Sequence, residues 1–443
     1  MKNVLIIVIL ICSINTIVGQ ETVYPAAKHT GTTVISNATI HTGTGETIEN
    51  GTIVLTNGKI VSVGKNVSAP AGATIINAQG KHVYPGLILP VSNLGLIEVS
   101  AVRATNDLQE IGELNPNVRS IVAYNTDSRV INTLRSNGIL LANVVPQGSL
   151  VAGSSSVVQL DAWTWEDAAY KTDGGIHFYM PNLMPRPRLG FGGGGGGNNN
   201  NNNRQDQADP VKEGLEKIDR IKSFFYEAKA YLSEPAHEET NLKFTAVKGL
   251  FEKKQKLYIH ANTVKQMLIA LDFVKEFAFD VVIVGGSDSW QIADLLKQNN
   301  VAVILGQSHN LPTLQDDDID QPYKTAAMLQ KAGVMFSITD DDPQNRGRNL
   351  PFNAGTAVAY GLTKEQALQA ITLNAAKIIG VADKTGSLEP GKDANIIISE
   401  GDILDMRTSI VTDAFIQGRK IDLMNRQKLL NERYNRKYGL KPF

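Results

Sequence analysis

Hydrophobic and polar positions alternate at both ends of the chain and follow a different pattern between them. From residue 32 to residue 83, short β-branched runs are separated by glycine-containing turns, and Asn57-Gly58 lies between two of these runs. A two-residue hairpin turn needs positive φ at both central positions, which Asn and Gly adopt readily. The pattern therefore predicts a small antiparallel sheet, and turns with short apolar runs return between residues 386 and 420.

Between residues 85 and 382, apolar runs alternate with helical stretches. Strands are predicted at residues 139–145, 257–260, 281–284, 301–305 and 334–338, and helices at 265–277, 292–298, 323–331 and 364–374. Thr363 and Gln366 have the spacing of a capping box for the last of these helices. The alternation is typical of a parallel α/β architecture. An open flavodoxin-like sheet would alternate in the same way, but the length and the sheet-forming ends favour a closed barrel.

One segment, residues 190–203, interrupts the alternation with a glycine run followed by asparagines. A segment of this composition has little to bury, and we expect a disordered loop. Since predicted strands of the same sheet follow it, the segment is interpreted as a surface insertion and not as a domain boundary.

Composition narrows the classes of partner. The 443 residues are 42% hydrophobic and contain 43 basic and 44 acidic side chains, so the chain can bury a large core and carries almost no net charge. No basic stripe is present to neutralise phosphates, which argues against nucleic acid. A small-molecule substrate or ligand, or a protein partner, is expected instead.

The first residues have the pattern of an export signal. Lys2 precedes an apolar run from Val4 to Ile11, which is too short to span a bilayer of about 30 Å. The pattern predicts a secretory signal over residues 1–19, a periplasmic or secreted protein, and no transmembrane segment in the mature chain. A buried N-terminal strand is the alternative. The only cysteine, Cys12, lies in this segment, so the mature chain would have no thiol for catalysis or metal binding.

Several motifs resemble the amidohydrolase superfamily. Residues 85–88, Pro-Gly-Leu-Ile, are similar to the segment that opens its barrel, where Asp, a small residue and His-x-His follow. Residues 257–380 carry the most specific similarity, to imidazolonepropionase-like and dipeptidase-like members. The resemblance implies a TIM-type (β/α)8 barrel over residues 84–385. It also implies a small β-sandwich domain built from both chain ends, residues 32–83 and 386–420.

In this superfamily a metal at the carboxyl ends of the strands activates water, and an Asp of the last strand handles the proton. By resemblance, His260 is a metal ligand and Asp340 is the catalytic aspartate. Other ligand positions are substituted: Val91 and Asn93 replace the two histidines of the first strand, and Gly285 replaces that of the sixth.

Two protein ligands are fewer than the three that catalytic zinc sites usually have. His309, after the predicted seventh strand, is the best substitute ligand for a divalent metal such as zinc, and His177 is a second one. Each of these histidines, and Asp340, also has an ordinary structural interpretation, as a loop or strand-end histidine and as a turn acid.

Polar residues outside the superfamily pattern are candidates for substrate binding. Asn262 takes the place of the second histidine of the fifth-strand motif. Ser287, Asp288 and Trp290 follow the sixth strand and could line a pocket, although a helix N-cap is the more common role for Ser287 or Asp288. A second group lies after the first strand and comprises Glu98, Arg103, Asp107 and Arg129. Such a group could bind a polar ligand or supply acid and base without a metal. The alternative is a solvated loop held by its own hydrogen bonds.

Two functions stay open at this point. The first is a hydrolase of carbon–nitrogen bonds in cyclic or small peptide-like amides, and not in ordinary peptide bonds. The second is an inactive amidohydrolase-like barrel that binds a ligand, forms a homo-oligomer or pairs with an active homologue.

Overall fold

The computed structural model describes residues 24–148, 150–184, 209–340 and 346–440. The predicted signal at residues 1–19 and the predicted loop at residues 190–203 lie outside these ranges.

The strands are β1 Thr32–His41, β2 Thr47–Thr56, β3 Lys59–Gly64, β4 Thr74–Asn77, β5 His82–Pro85, β6 Leu87–Ser92, β7 Ile139–Val144, β8 Val151–Gln159, β9 Ala169–Tyr179, β10 Lys256–Ala261, β11 Val281–Gly285, β12 Ala302–Leu305, β13 Phe336–Ile338, β14 Ile396–Ser399, β15 Val411–Ile416 and β16 Arg419–Lys420. The helices are α1 Arg129–Arg135, α2 Trp165–Ala168, α3 Pro210–Ser233, α4 Leu242–Ala246, α5 Lys248–Phe251, α6 Val264–Phe277, α7 Ala293–Gln298, α8 Gln321–Ala332, α9 Leu350–Ala359, α10 Lys364–Ala370, α11 Leu373–Ile379 and α12 Arg426–Tyr438. In the described ranges, no helix is both long enough and apolar enough to cross a membrane.

Strands from the two ends of the chain share one sheet. Its order is β16-β15-β14-β5-β1-β2-β3, and β4 pairs with β1. The antiparallel pair of β5 and β14 joins the N-terminal strands to the C-terminal ones. Asn57 and Gly58 both have positive φ, at 49° and 84°, between the antiparallel strands β2 and β3, which confirms the predicted hairpin.

Alternate residues of this sheet pack on opposite sides. On β14, Ile397 joins the large core of the barrel, whereas Ile396 and Ile398 join a separate core formed by the sheet itself. Side chains alternate between the two faces of a strand, so one face of this sheet packs against the barrel and the other face covers the sheet's own core.

The second sheet runs in chain order from β6 to β13 and is nearly closed. Its two end strands approach each other where the Thr339 hydroxyl donates to the carbonyl oxygen of Val91, at 2.9 Å. The five strands predicted between residues 139 and 338 are all present, which confirms a barrel built from parallel strand and helix alternation over most of its length.

The expectation of an all-parallel barrel needs a correction at β8, which runs antiparallel to both β7 and β9. Only residues 145–150 connect β7 to β8. A parallel crossover needs a dozen or more residues, so this connection can only turn the chain back as a hairpin.

A second correction concerns the helix predicted at residues 364–374, which is two helices, α10 and α11. The capping box of Thr363 and Gln366 is present at its start. The carbonyl oxygen of Ile371, however, accepts a hydrogen bond from the backbone N–H of Ile88 in β6, at 2.9 Å. That contact takes the carbonyl out of the helical pattern, and Thr372 has the non-helical angles φ −132° and ψ −92°.

Candidate functional site

The interior of the barrel is filled with apolar side chains near the carboxyl ends of its strands. Val91, Val145, Val284 and Ile304 belong to one buried cluster that continues inward to Tyr258. Val91 and Val284 are 4% and 5% exposed. Side chains of this kind supply no ligand atom to a metal and leave little room beside the strands.

His260 on β10 pairs with a second histidine of the neighbouring strand. The parallel register of β9 and β10 sets Tyr258 opposite His177 and His260 opposite Tyr179. Nε2 of His260 lies 3.0 Å from Nδ1 of His177, and its ring stacks on Tyr179 with centroids 3.8 Å apart. The two ring nitrogens share one proton in a hydrogen bond, which occupies one lone pair of the pair, and Nε2 of His177 is buried without a hydrogen-bond partner among the described residues.

Burial holds both histidines neutral. Desolvation of the charged form lowers the pKa of His260 to about 3. The pKa of His177 lies well below its usual value, first because the ring is buried and second because a charged His260 would repel it. His177 has no measurable exposure and stacks on Tyr258 with centroids 4.7 Å apart.

Asp340 follows β13 and is only 2% exposed. Its Oδ2 accepts a hydrogen bond from Nδ2 of Asn353 on α9, at 3.1 Å, and its Oδ1 lies 3.9 Å from the guanidinium of Arg346. The carboxylate is thus held by neighbouring side chains at the position that the superfamily resemblance assigns to the catalytic aspartate.

The residues present do not fit the metal of the superfamily. Among the described residues, no three His, Cys, Asp or Glu side chains are grouped so that they could hold a metal ion. Gly285, at the position of the sixth-strand ligand, has φ +98°, and a Cβ there would lie 2.3 Å from Oδ1 of Asn262. His309 lies in an exposed loop, where Nε2 is 3.4 Å from the Thr356 hydroxyl. A metal role for His260 and His309 therefore stays a prediction.

A pocket of about 210 Å³ lies beside the apolar interior, at the carboxyl ends of β10 to β13. Its lining includes two acids and several side-chain amides and aromatic rings: Asp288, Asp317, Asn262, Gln307, Asn353, Trp290 and Tyr323. This is the rim at which ligands of parallel α/β barrels bind. Asn353 connects the pocket to Asp340 through the hydrogen bond described above.

Asp288 is the buried acid of this pocket, at 4% exposure. Burial raises its pKa, and the nearby charge of Asp317 acts in the same direction. Hydrogen bonds from the Thr313 hydroxyl and from the backbone N–H of Val264, at the start of α6, act in the opposite direction. The positive φ values of Gly285 and Gly286 turn the chain at the end of β11, and the backbone N–H of Asp288 then donates to the carbonyl oxygen of Asn262 at 3.0 Å.

The structure separates the candidates for substrate binding. Asn262, Ser287, Asp288 and Trp290 line the pocket, as the sequence suggested for this strand end. The other candidates, Glu98, Arg103, Asp107 and Arg129, are exposed and are not part of its lining.

The loop after β6 is held in part by its own hydrogen bonds, which agrees with the alternative interpretation of this region. Glu98 accepts a hydrogen bond from Nδ2 of Asn125 at 3.1 Å. The Thr105 hydroxyl donates to the carbonyl oxygen of Val102 at 3.0 Å.

The sequence interpretation missed Gln307, Asp317 and Tyr323, which come from the long connection between β12 and α8 and from the first turn of α8. The acidic run at residues 316–318 was the available signal for this part of the site. Among its three aspartates, only Asp317 lines the pocket.

Comparisons with known proteins agree with the fold. The chain matches the family model described as "Amidohydrolase family" over residues 239–421. An imidazolonepropionase from Thermoplasma volcanium is 38% identical over 100 residues, which cover 22% of this chain and 25% of that protein. An imidazolonepropionase from Picrophilus torridus is 30% identical over 178 residues, covering 38% of this chain and 42% of that protein. The alignments thus span less than half the length of these relatives.

Among solved structures, the crystal structure of an amidohydrolase from Thermotoga maritima superposes with a TM-score of 0.74 at 25% identity, covering 88% of this chain and 99% of that one. The fold is that of an α/β barrel protein with an additional sheet and a pocket at the carboxyl ends of the barrel strands. With these matches, the chain belongs to the amidohydrolase superfamily.

Proposed function

We propose that the chain hydrolyses a carbon–nitrogen bond, other than an ordinary peptide bond, in a small polar molecule bound in this pocket. The observation that carries the proposal is Asp288, a buried carboxyl in a polar pocket at the carboxyl ends of the strands. A buried acid in a cleft whose pKa is raised is a candidate for acid–base catalysis. Family membership supports the reaction class.

In this reaction the Asp288 carboxylate accepts a proton from water while the water oxygen bonds to the carbonyl carbon of the substrate. The same proton then passes to the leaving nitrogen as the carbon–nitrogen bond breaks, which gives a carboxylic acid and an amine. The raised pKa of Asp288 makes its carboxylate a stronger base. The side-chain amides of Asn262, Gln307 and Asn353 supply donors and acceptors that orient the substrate.

No step of this proposal passes through a metal, because the described residues do not fit one. Metals are usual in the superfamily, and zinc analysis of the purified protein tests the metal prediction for His260 and His309 directly. One tightly bound equivalent that His260→Ala removes would support that prediction.

The test of the proposal is Asp288→Asn, which keeps the shape of the side chain and removes the base. We expect kcat/KM on a panel of small amides to fall by about 10²-fold or more. Asp316→Asn is the matched control, because Asp316 is an exposed neighbour of Asp317 that does not line the pocket. An active protein that tolerates Asp288→Asn but not Asp340→Asn would contradict the proposal and favour the assignment by resemblance.

A second candidate function is a ligand-binding barrel without turnover. The observation that favours it is the apolar packing of Val91, which stands where the superfamily carries a ligand histidine, in one buried cluster with Val284 and Ile304. Its test is recovery of a bound amide unchanged after prolonged incubation, measured by mass spectrometry. Release of the free amine would contradict it.

We also propose export to the periplasm or the medium, from the pattern of residues 1–19, and assembly as a homo-oligomer or with an active homologue. N-terminal sequencing of the mature protein and its mass in solution test these two proposals.

A further inference from the structure

The charged side chains among the described lining residues of the pocket are all acidic. Asp288 and Asp317 line it, and none of its described lining residues is a Lys, Arg or His. Asp288 is buried, so water screens its charge poorly. An anionic ligand would meet repulsion from both carboxylates, whereas a cationic group would find two partners.

The aromatic lining suits the same kind of ligand. Trp290 and Tyr323 both belong to the pocket wall. The face of an indole or phenol ring attracts a cation through its quadrupole, and tryptophan does so most strongly. Tyr323 also stacks on Tyr360, with ring centroids 5.0 Å apart, so it is held in place before a ligand binds.

Two further polar groups of the wall indicate that the ligand carries a hydrogen-bond acceptor. Nε1 of Trp290 and Oγ of Ser308 are shielded from solvent and have no hydrogen-bond partner among the described residues. Tryptophan Nε1 can only donate, and a buried donor without an acceptor is costly. A carbonyl or similar oxygen of the ligand would satisfy it.

We propose that the pocket selects a small ligand that carries a positively charged nitrogen group together with a carbonyl oxygen, such as an aminoalkyl amide. The inference rests on the proposed function only in treating the ligand as a substrate, and the predicted binding preference does not depend on hydrolysis. A pocket volume of about 210 Å³ suits a small ligand of this kind.

The experiment is calorimetric titration of the full mature chain with three sulfonamides of similar length, which keep acceptor oxygens and resist hydrolysis. The probes are 3-aminopropanesulfonamide, which is cationic, butanesulfonamide, which is neutral, and 3-sulfamoylpropanoate, which is anionic. We expect the cation to bind at least tenfold more tightly than the neutral probe, and the anion to bind most weakly. Asp317→Asn should reduce the preference for the cation to below threefold, and the control Asp316→Asn should leave it unchanged.

Equal affinity for the cation and the neutral probe, tighter binding of the anion, or binding of none of the three at millimolar concentration would overturn the inference. Because no probe is hydrolysed, the result is independent of turnover. A preference for the cation in a protein that hydrolyses no amide would leave the inference standing and remove the proposed reaction. Hydrolysis of neutral amides without any charge preference would leave the proposed reaction standing and overturn the inference about the ligand.

Discussion

Two pairs of histidines, one inside the barrel and one where the barrel meets the N-terminal sheet, have the same contact in different surroundings. His177 and His260 lie 3.0 Å apart through their ring nitrogens, and so do His41 and His82. The inner pair is enclosed by the rings of Tyr258 and Tyr179. The outer pair also contacts a carboxylate, because Nδ1 of His41 lies 2.6 Å from Oε1 of Glu365 on α10.

The difference decides how each pair responds to acid. A proton added to the inner pair has aromatic rings around it, so the charge is poorly solvated. The outer pair instead has the carboxylate of Glu365 next to it, which can compensate a positive charge. Burial lowers the pKa of His82, and a charged His41 or Lys364 lowers it further, while Asp402 and Glu49 oppose the shift. Identical hydrogen bonds between imidazoles therefore do not imply identical chemistry.

The largest expected effect concerns the inner pair, His177 and His260, and the fall in the free energy of unfolding as the pH is lowered. The folded pKa of His177 lies below that of the unfolded chain, about 6.5, so the unfolded state binds more protons and stability falls as pH falls below 6.5. At about 1.4 kcal/mol for each pH unit, this one group can lower the free energy of unfolding at pH 5 by at most about 2 kcal/mol. In His177→Phe we expect the loss of stability between pH 7 and pH 5, measured by urea unfolding, to shrink by up to that amount.

His309→Gln is the matched control for this change, because His309 is an exposed histidine in a loop. The absolute stability of His177→Phe also changes, since His260 loses its partner, so only the difference between the two pH values is informative. An unchanged pH dependence would mean that His177 is charged in the folded protein.

The outer pair should show a smaller effect. Glu365→Gln removes the carboxylate whose Oε1 lies 2.6 Å from Nδ1 of His41, and the side chains of Glu365 and His41 are 22% and 15% exposed. We expect a loss of about 1 kcal/mol of the free energy of unfolding, because a contact with a carboxylate is replaced by one with a neutral amide. The measurement is urea unfolding at pH 7, with the exposed Glu46→Gln as control. An unchanged stability would show that His41 does not need a carboxylate beside it.

Local patterns in the sequence were sufficient to predict much of the fold. The Asn57-Gly58 hairpin, the strands of the barrel and the capping box at Thr363 each depend on the chemistry of a few adjacent residues. The direction of β8 could have been inferred only with its boundaries known, because the short connection at residues 145–150 is what reverses it. The break at Ile371 depends on a hydrogen bond from Ile88, far away in the sequence.

The candidate site was harder to predict from the sequence than the fold. Resemblance singled out His260 as a metal ligand, but its contact with His177 follows from the register of β9 against β10, which no local pattern specifies. Asp288 was noticed as a pocket residue because it lies three residues after the end of β11. Asp317 comes from an irregular connection whose path depends on tertiary packing, so neither its position nor its effect on Asp288 could be predicted.

The smallest expected effect is that of His82→Gln, and it separates the two pairs most sharply. Like His177, His82 has a lowered pKa, so its contribution to stability is also lost as pH falls below 6.5. His82 is only partly buried, and Asp402 and Glu49 partly compensate a charge on it, so the cost of protonation is lower than inside the barrel. We therefore expect His82→Gln to reduce the loss of stability between pH 7 and pH 5 by less than about 1 kcal/mol. Urea unfolding of the two histidine variants side by side gives the ranking, and a larger effect for His82 than for His177 would show that the carboxylates around the outer pair do not screen it.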